Sequence, residues 1–130
     1  MTIQEINNKS FQEIFDFVAN HLLTQNARAI GEDGTCLYRC GDLKCAVGAL
    51  ISDEDYNYSF EMQNLRVLAD KREKTIFNNI EESRLAFLIH LQAIHDDSVI
   101  AEWPEKLSAL GSYFGLSNKI LEKFKTDEKH

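Results

Sequence analysis

The chain has 130 residues, which is enough for one domain with its own hydrophobic core. Its formal net charge is −7 and it has no basic run, so the sequence predicts no nucleic-acid-binding surface. No apolar run reaches membrane-spanning length, so no membrane segment is expected. Residues 1–10 lack the pattern of a signal peptide, and the three cysteines are therefore expected to be reduced thiols in the cytoplasm.

A first helix is predicted to end near Gln25, with Asn8 or Ser10 as its N-cap. Its apolar residues recur at helical spacing and form one face. These residues are Phe11, Ile14, Phe15, Val18 and Leu22. A connector, residues 26–34, follows this helix.

The segment Gly34–Ile51 contains all three cysteines and three of the six glycines. Thr35–Arg39 fits a short strand, and Gly41–Asp42 is a turn signal because glycine tolerates the backbone angles of tight turns. Lys44–Ile51 is small and apolar and fits a buried strand or a helix. Its good helix formers favour the helix, so the sequence predicts a small hairpin followed by a helix.

The pattern of residues in the second half of the chain predicts further helical segments. Ser52 is expected to cap a single turn, and Ser59 a segment that ends near Ala69. A mixed-charge loop or solvated face, residues 70–74, precedes a long helix over residues 80–94. Pro104 suits the first turn of the next helix and Gly115 its end.

A last helix is predicted over residues 117–124, followed by a frayed polar tail over about residues 126–130. Together these patterns predict one mainly α domain over residues 1–130 that carries one small β-hairpin. The core is expected to contain Phe11, Phe15, Val18, Leu22, Leu50, Phe87, Leu88, Leu91 and Leu110.

Cys45 is the first candidate for chemistry, because a thiol near a helix N-terminus and beside Lys44 and Arg39 would have a lowered pKa. His95 and the neighbouring Asp96 would then act as base and orienting carboxylate. The simpler interpretations are that Cys45 is a small core residue and that His95 caps its own helix end.

The cysteine spacing, Cys36-x3-Cys40-x4-Cys45, lacks the second ligand pair of most zinc sites, so neither a metal nor a cofactor is predicted. Arginine beside a glycine turn can bind an anion through its planar fork, which makes Tyr38 and Arg39 candidates for ligand binding. Cys36, Lys44 and Trp103 complete the predicted ligand-binding set. Internal salt bridges from Arg39 to Asp96 or Asp97, and core packing of Trp103, explain these residues without a ligand.

Two short motifs resemble those of a small uncharacterised family of bacteriophage and bacterial proteins. The matching residues are Cys36, Tyr38, Arg39, Lys44–Gly48, Leu50, Ile51, Leu91, Gln92, His95, Asp96 and Trp103. The position of Cys40 is more often glycine in such proteins. The resemblance implies a phage or mobile-element setting, and therefore a host cytoplasm, but implies no activity.

Two functions follow as hypotheses. The first is non-enzymatic binding of a host protein or a small anionic ligand, with a host-defence component as a candidate partner. The second is a cysteine-dependent hydrolase or transferase that uses Cys45, His95 and Asp96. The absence of a recognisable oxyanion hole favours binding. In either case the two motifs are expected to meet in space.

Overall fold

A computed structural model describes residues 1–70 and 74–124, with the side chain of Met62 excepted. Within these residues the fold is mainly α with one two-stranded antiparallel hairpin, as predicted. The predicted tail and most of the predicted 70–74 loop lie outside the described residues. Among the described helices, none is both long enough and apolar enough to cross a membrane.

The α-helices are α1 (Phe11–Gln25), α2 (Leu65–Leu68), α3 (Glu82–Asp97) and α4 (Trp103–Tyr113). The strands are β1 (Arg39–Cys40) and β2 (Leu43–Lys44). Short 3-10 helices span Ile3–Asn8, Gly48–Leu50, Tyr58–Met62, Ile100–Glu102 and Lys119–Phe124. α1 contacts α3, α4 and the last 3-10 helix, and α3 also packs on α2 and α4.

The predicted N-terminus of α1 is confirmed. The Ser10 hydroxyl accepts the main-chain N–H of Glu13, and the Glu13 carboxylate accepts the N–H of Ser10. This capping box satisfies two main-chain donors that a helix start leaves unpaired. At the other end Asn26 adopts a left-handed conformation with φ 49° and ends the helix.

The hairpin begins later than predicted. Arg39 pairs with Lys44 and Cys40 with Leu43, and Gly41 takes the positive φ of 61° that the tight turn requires. Upstream, Cys36 forms only an isolated bridge with Ile30. The predicted strand Thr35–Arg39 is therefore wrong except at its last residue.

The predicted helix over Lys44–Ile51 is also wrong. Cys45 donates its main-chain N–H to the Tyr38 carbonyl oxygen at 3.1 Å, and Val47 donates its N–H to Gln92 Oε1 at 2.9 Å. These bonds to residues outside the segment hold the chain in a turn, and only Gly48–Leu50 is helical, as 3-10.

The helical segments after Ser52 are shorter than predicted. Ser52 does cap a turn, since its hydroxyl accepts the N–H of Asp55 at 3.3 Å. The single predicted segment from Ser59 is instead two, because the side chains of Asn57 and Asn64 cap the 3-10 helix and α2 separately. The last predicted helix is 3-10 rather than α.

α3 starts two residues later than predicted and continues three residues further, so it includes His95 and Asp96. Pro104 lies in the first turn of α4, and Gly115 follows its C-cap with φ 71°, both as predicted. The predicted core is confirmed for Phe15, Val18, Leu22, Leu50, Phe87, Leu88 and Leu91. Phe11 and Leu110 lie half-buried at its edge instead.

Candidate functional site

The last turn of α3 brings the two sequence motifs together. The Cys36 Sγ lies 3.9 Å from the main-chain oxygen of Asp96. One donor atom from each of Cys36, His95 and Asp96 lies within 4.8 Å of the other two. The motifs therefore meet through Cys36, whereas the hypothesis had paired His95 with Cys45.

The His95 ring is fully buried and both of its nitrogens are engaged. Nε2 accepts the main-chain N–H of Ala29 at 3.0 Å, so the ring proton lies on Nδ1. Nδ1 donates to Asp96 Oδ1 at 2.7 Å. The ring also stacks on Trp103, with 5.6 Å between ring centroids. His95 is thus a fixed donor to one carboxylate oxygen.

Arg28 closes the C-terminal end of α3. Its Nε donates to the His95 main-chain oxygen at 3.2 Å, and its Nη2 donates to that of Asp96 at 2.5 Å. A cation at this position also complements the negative end of the helix dipole. The main chain that carries Asp96 is therefore held in place from outside the helix.

Gln92 completes the support of the carboxylate. Its Nε2 donates to Asp96 Oδ1 at 3.0 Å, while its Oε1 accepts the N–H of Val47. The amide therefore links the segment after β2 to α3. Asp96 Oδ1 has two donors, and no described residue donates to Oδ2.

The two thiols near this site are poor nucleophiles. Cys45 is fully buried, its Sγ accepts the Gly48 N–H at 3.2 Å, and burial raises its pKa to about 12. Burial and then the charge of Asp96 raise the pKa of Cys36. The ring nitrogens of His95 are already bonded, so this geometry offers Cys45 no general base.

The same tautomer argues against a metal ion at Cys36, His95 and Asp96. Coordination through Nδ1 would move the ring proton to Nε2, where it would face the N–H of Ala29. Metal-bound histidines instead donate their second N–H to an acceptor. The Arg28 Nη2 also donates to the Cys36 Sγ at 3.9 Å, so this sulfur is already engaged.

The residues predicted to bind an anion are largely occupied. Arg39 donates to the Ile51 main-chain oxygen at 2.5 Å and pairs with Asp53 at 2.8 Å. This is the internal salt bridge considered as an alternative, but with Asp53 as partner. The Lys44 Nζ lies 3.9 Å from the same carboxylate, and Trp103 is core.

Tyr38 does line an open cleft of about 300 Å³, together with Cys36 and Glu61. A second cleft of about 440 Å³ lies along α3. Both are lined by Asn64, Leu65, Gln92 and Asp96. The two clefts are therefore adjacent, and together they are called here the α2–α3 groove.

The groove has a polar end and an apolar end. At the polar end, the Glu61 carboxylate accepts the main-chain N–H groups of Tyr38 at 2.8 Å and Arg39 at 3.1 Å. At the other end the half-buried Ala86, Ile89 and Ala93 line the surface. The groove thus combines carboxylates with an apolar floor.

Sequence reasoning named Asp96 and Gln92 but not the contact between them, and it missed Glu61 and Arg28. Gln92 and Asp96 are spaced i, i+4 on a helix, and this spacing could have suggested their contact. Glu61 and Arg28 carried no such signal, because Glu61 binds main chain 22 and 23 residues away and Arg28 binds main chain 67 and 68 residues away. No known protein family, curated protein or solved structure matches the chain.

Proposed function

We propose that this protein acts by non-enzymatic binding of another protein, which docks in the α2–α3 groove. The observation that carries this proposal is that a cleft with an apolar stripe lies directly beside a cleft lined by carboxylates, with four residues common to both. The resemblance to small phage and bacterial proteins makes a host protein, including a component of host defence, the candidate partner. The host cytoplasm is then the candidate location.

The apolar end of the groove supports a docking role. Ala86, Ile89 and Ala93 are spaced i, i+3, i+7 and form a stripe along α3. A separate face of the same helix, which includes Leu88 and Leu91, is buried in the core. Small residues at both ends of the stripe let a partner backbone approach closely. Extended grooves of this kind receive amphipathic segments.

The arrangement of Cys45, His95 and Asp96 favours binding over the cysteine-dependent hydrolase. Catalysis would require an ionised thiol and a histidine nitrogen free to take its proton. The raised pKa of Cys45 keeps its thiol protonated at neutral pH. The Nε2 of His95 is occupied by the N–H of Ala29. His95 is therefore better suited to fixing the orientation of the Asp96 carboxylate than to transferring a proton.

The small anionic ligand is less favoured than a protein. Arg39, its predicted anchor, is bonded to Ile51 and Asp53. The cleft beside Tyr38 is lined by two carboxylates and by no lysine or arginine of the described residues. A negatively charged ligand would be repelled there.

The test blocks the groove with one bulky side chain. Ala93→Tyr fills the floor of the groove, and Ala109→Tyr places the same side chain on the exposed face of α4. Each tagged protein is used to capture proteins from a bacterial host extract, followed by reconstitution with the purified candidate. We expect one protein that the wild type and Ala109→Tyr bind equally and that Ala93→Tyr binds at least about tenfold more weakly.

Equal binding by both variants, or the absence of any partner that reconstitutes with the wild type, would refute docking in the groove. Circular dichroism and thermal unfolding of both variants check that the substitutions leave the fold intact.

A further inference from the structure

We infer that the partner places a lysine or arginine side chain in the polar end of the α2–α3 groove, against the carboxylate of Asp96. This inference rests on the proposed function and names the chemistry by which the groove recognises its partner. It differs from the expectation of an anionic ligand, because the charged side chains that line the polar end, Glu61 and Asp96, are both carboxylates.

The Asp96 carboxylate is arranged to receive a donor. Its Oδ1 accepts hydrogen bonds from His95 Nδ1 at 2.7 Å and Gln92 Nε2 at 3.0 Å. These two contacts fix the side chain, and Arg28 holds the main chain beneath it. Oδ2 receives no hydrogen bond from the described residues, and the side chain is 32% exposed. One carboxylate oxygen is therefore preorganised and free to accept a charged donor.

Three arginines of the described residues lie near the groove, and each is bonded to another group; Arg66 itself lines the second cleft. Arg39 pairs with Asp53, and Arg66 forms a two-pronged pair with Glu82 at 2.8 and 3.1 Å. Arg28 donates to main-chain oxygens at the end of α3. In the part of the chain that the structure describes, no lysine or arginine forms a salt bridge with Asp96.

A second carboxylate adds to the negative potential. Glu61 lines the same cleft and is bonded by main-chain N–H groups and by the Tyr56 hydroxyl at 2.5 Å. These donors stabilise the charge without cancelling it. Asp97 adds a further acid to the second cleft. Acids that line a concave surface reinforce one another and attract a cation.

A mobile cationic side chain fits this site better than a metal ion does. The tautomer of His95 leaves the ring no nitrogen lone pair for coordination. Of the three possible ligands this leaves the Cys36 sulfur, which Arg28 already contacts, and the free oxygen of Asp96. One carboxylate oxygen is sufficient for an ammonium or guanidinium group but not for a metal coordination sphere.

The test uses small probes of defined charge. N-acetyl-arginine amide and N-acetyl-lysine amide are titrated into the ¹⁵N-labelled protein, with N-acetyl-glutamine amide as the neutral control. We expect the cationic probes to shift the amide signals of residues 61–65 and 92–97 and the side-chain amide of Gln92. The neutral probe should leave them unchanged. Asp96→Asn should weaken cation binding about fivefold, whereas Asp42→Asn, at the exposed hairpin turn, should not change it.

A second measurement does not depend on the variant. Raising sodium chloride from about 50 mM to about 500 mM should weaken wild-type binding of the cationic probes several-fold, because salt screens a partly exposed ion pair. Equal shifts with the neutral probe, shifts outside the groove, or no salt dependence would each overturn the cation assignment.

The two tests fail separately. If Ala93→Tyr no longer binds the reconstituted partner but the wild type binds no cationic probe, only the cation assignment is refuted. If the cationic probes bind in a way that requires Asp96, but Ala93→Tyr binds every partner as well as the wild type does, the proposed function is refuted and the cation site remains.

Discussion

The main-chain N–H of Ala29 donates a hydrogen bond to Nε2 of His95 across 3.0 Å. This contact determines the role of the His95–Asp96 pair, because it places the ring proton on Nδ1 and directs it at the carboxylate. A histidine that acts as general base for a thiol or hydroxyl needs a ring nitrogen free to accept the proton. In this fold the ring instead orients Asp96 toward the groove.

Replacement of His95 by alanine should strongly destabilise the protein. The substitution empties a fully buried site beside Trp103 and leaves the buried N–H of Ala29 without its acceptor. We expect a loss of about 3–4 kcal/mol in the free energy of unfolding, measured by urea titration. His90→Ala, on the exposed side of α3, is the control and should change it by less than about 0.5 kcal/mol. A loss below about 1 kcal/mol for His95→Ala would contradict the described hydrogen bonds.

Cys45 should resist alkylation in the native protein. Its Sγ is fully buried and its pKa is raised to about 12, whereas Cys36 and Cys40 are partly exposed. Iodoacetamide at neutral pH, followed by mass spectrometry, should modify Cys45 only after unfolding in urea. Because the pKa of Cys36 is also raised, the rate of its labelling should continue to increase at pH values above the pKa of an ordinary thiol. Rapid labelling of native Cys45 that slows in a His95 variant would restore the enzyme hypothesis.

Stability should fall at alkaline pH through Cys45. In the unfolded chain the thiol ionises near pH 8.5, whereas in the folded protein it stays protonated up to about pH 12. Between these values the folded state binds the extra proton, so the free energy of unfolding decreases as pH rises, by about 1.4 kcal/mol per pH unit. Urea titrations at pH 8 and about pH 10.5 measure how far the free energy of unfolding falls between these two values. This decrease should be about 2–3 kcal/mol smaller for Cys45→Ala than for the wild type. Tyr38, whose pKa is raised by burial and then by the charge of Cys45, is present in both proteins, so its contribution cancels apart from this coupling.

Gly48 should not tolerate a side chain. A Cβ at this position would lie 2.0 Å from the Tyr38 carbonyl oxygen, which is itself bonded to the N–H of Cys45. Gly48→Ala therefore forces the main chain apart and should cost more than about 3 kcal/mol. Gly34→Ala is the contrasting control, because nothing lies within 4 Å and only its φ of 85° is unfavourable. It should cost about 1–2 kcal/mol, and equal losses for the two variants in thermal unfolding would refute the steric explanation.

Phe15 and Phe87 should each contribute strongly to the core. Both are fully buried, and truncation to alanine should reduce the free energy of unfolding by about 3–5 kcal/mol. Tyr113→Ala removes an aromatic ring that is 81% exposed and should have little effect. Losses below about 1 kcal/mol at both phenylalanines in denaturant titrations would show that the core faces are wrongly assigned.

The sequence alone determined the elements whose information is local. α1 was predicted because its apolar residues repeat at helical spacing and because Ser10 was one of two candidate N-cap residues. The capping box of Ser10 and Glu13 that the structure shows is equally local, since it lies within four residues of chain. The positive φ values at Gly41 and Gly115 follow from the same short-range rules. The mainly α class and most of the core follow from these patterns, since a periodic apolar face must be buried wherever it packs.

Tertiary structure decided the conformation of Lys44–Ile51 and the composition of the site. Local propensity favoured a helix there, but the N–H groups of Cys45 and Val47 bond to Tyr38 and Gln92 instead. The partner of His95 is likewise a main-chain group 66 residues away. A main-chain N–H is present at every residue except proline, so no residue type marks which one will meet the ring. Only the packing of the connector against the end of α3 selects it, and the same packing directs Asp96 into the groove.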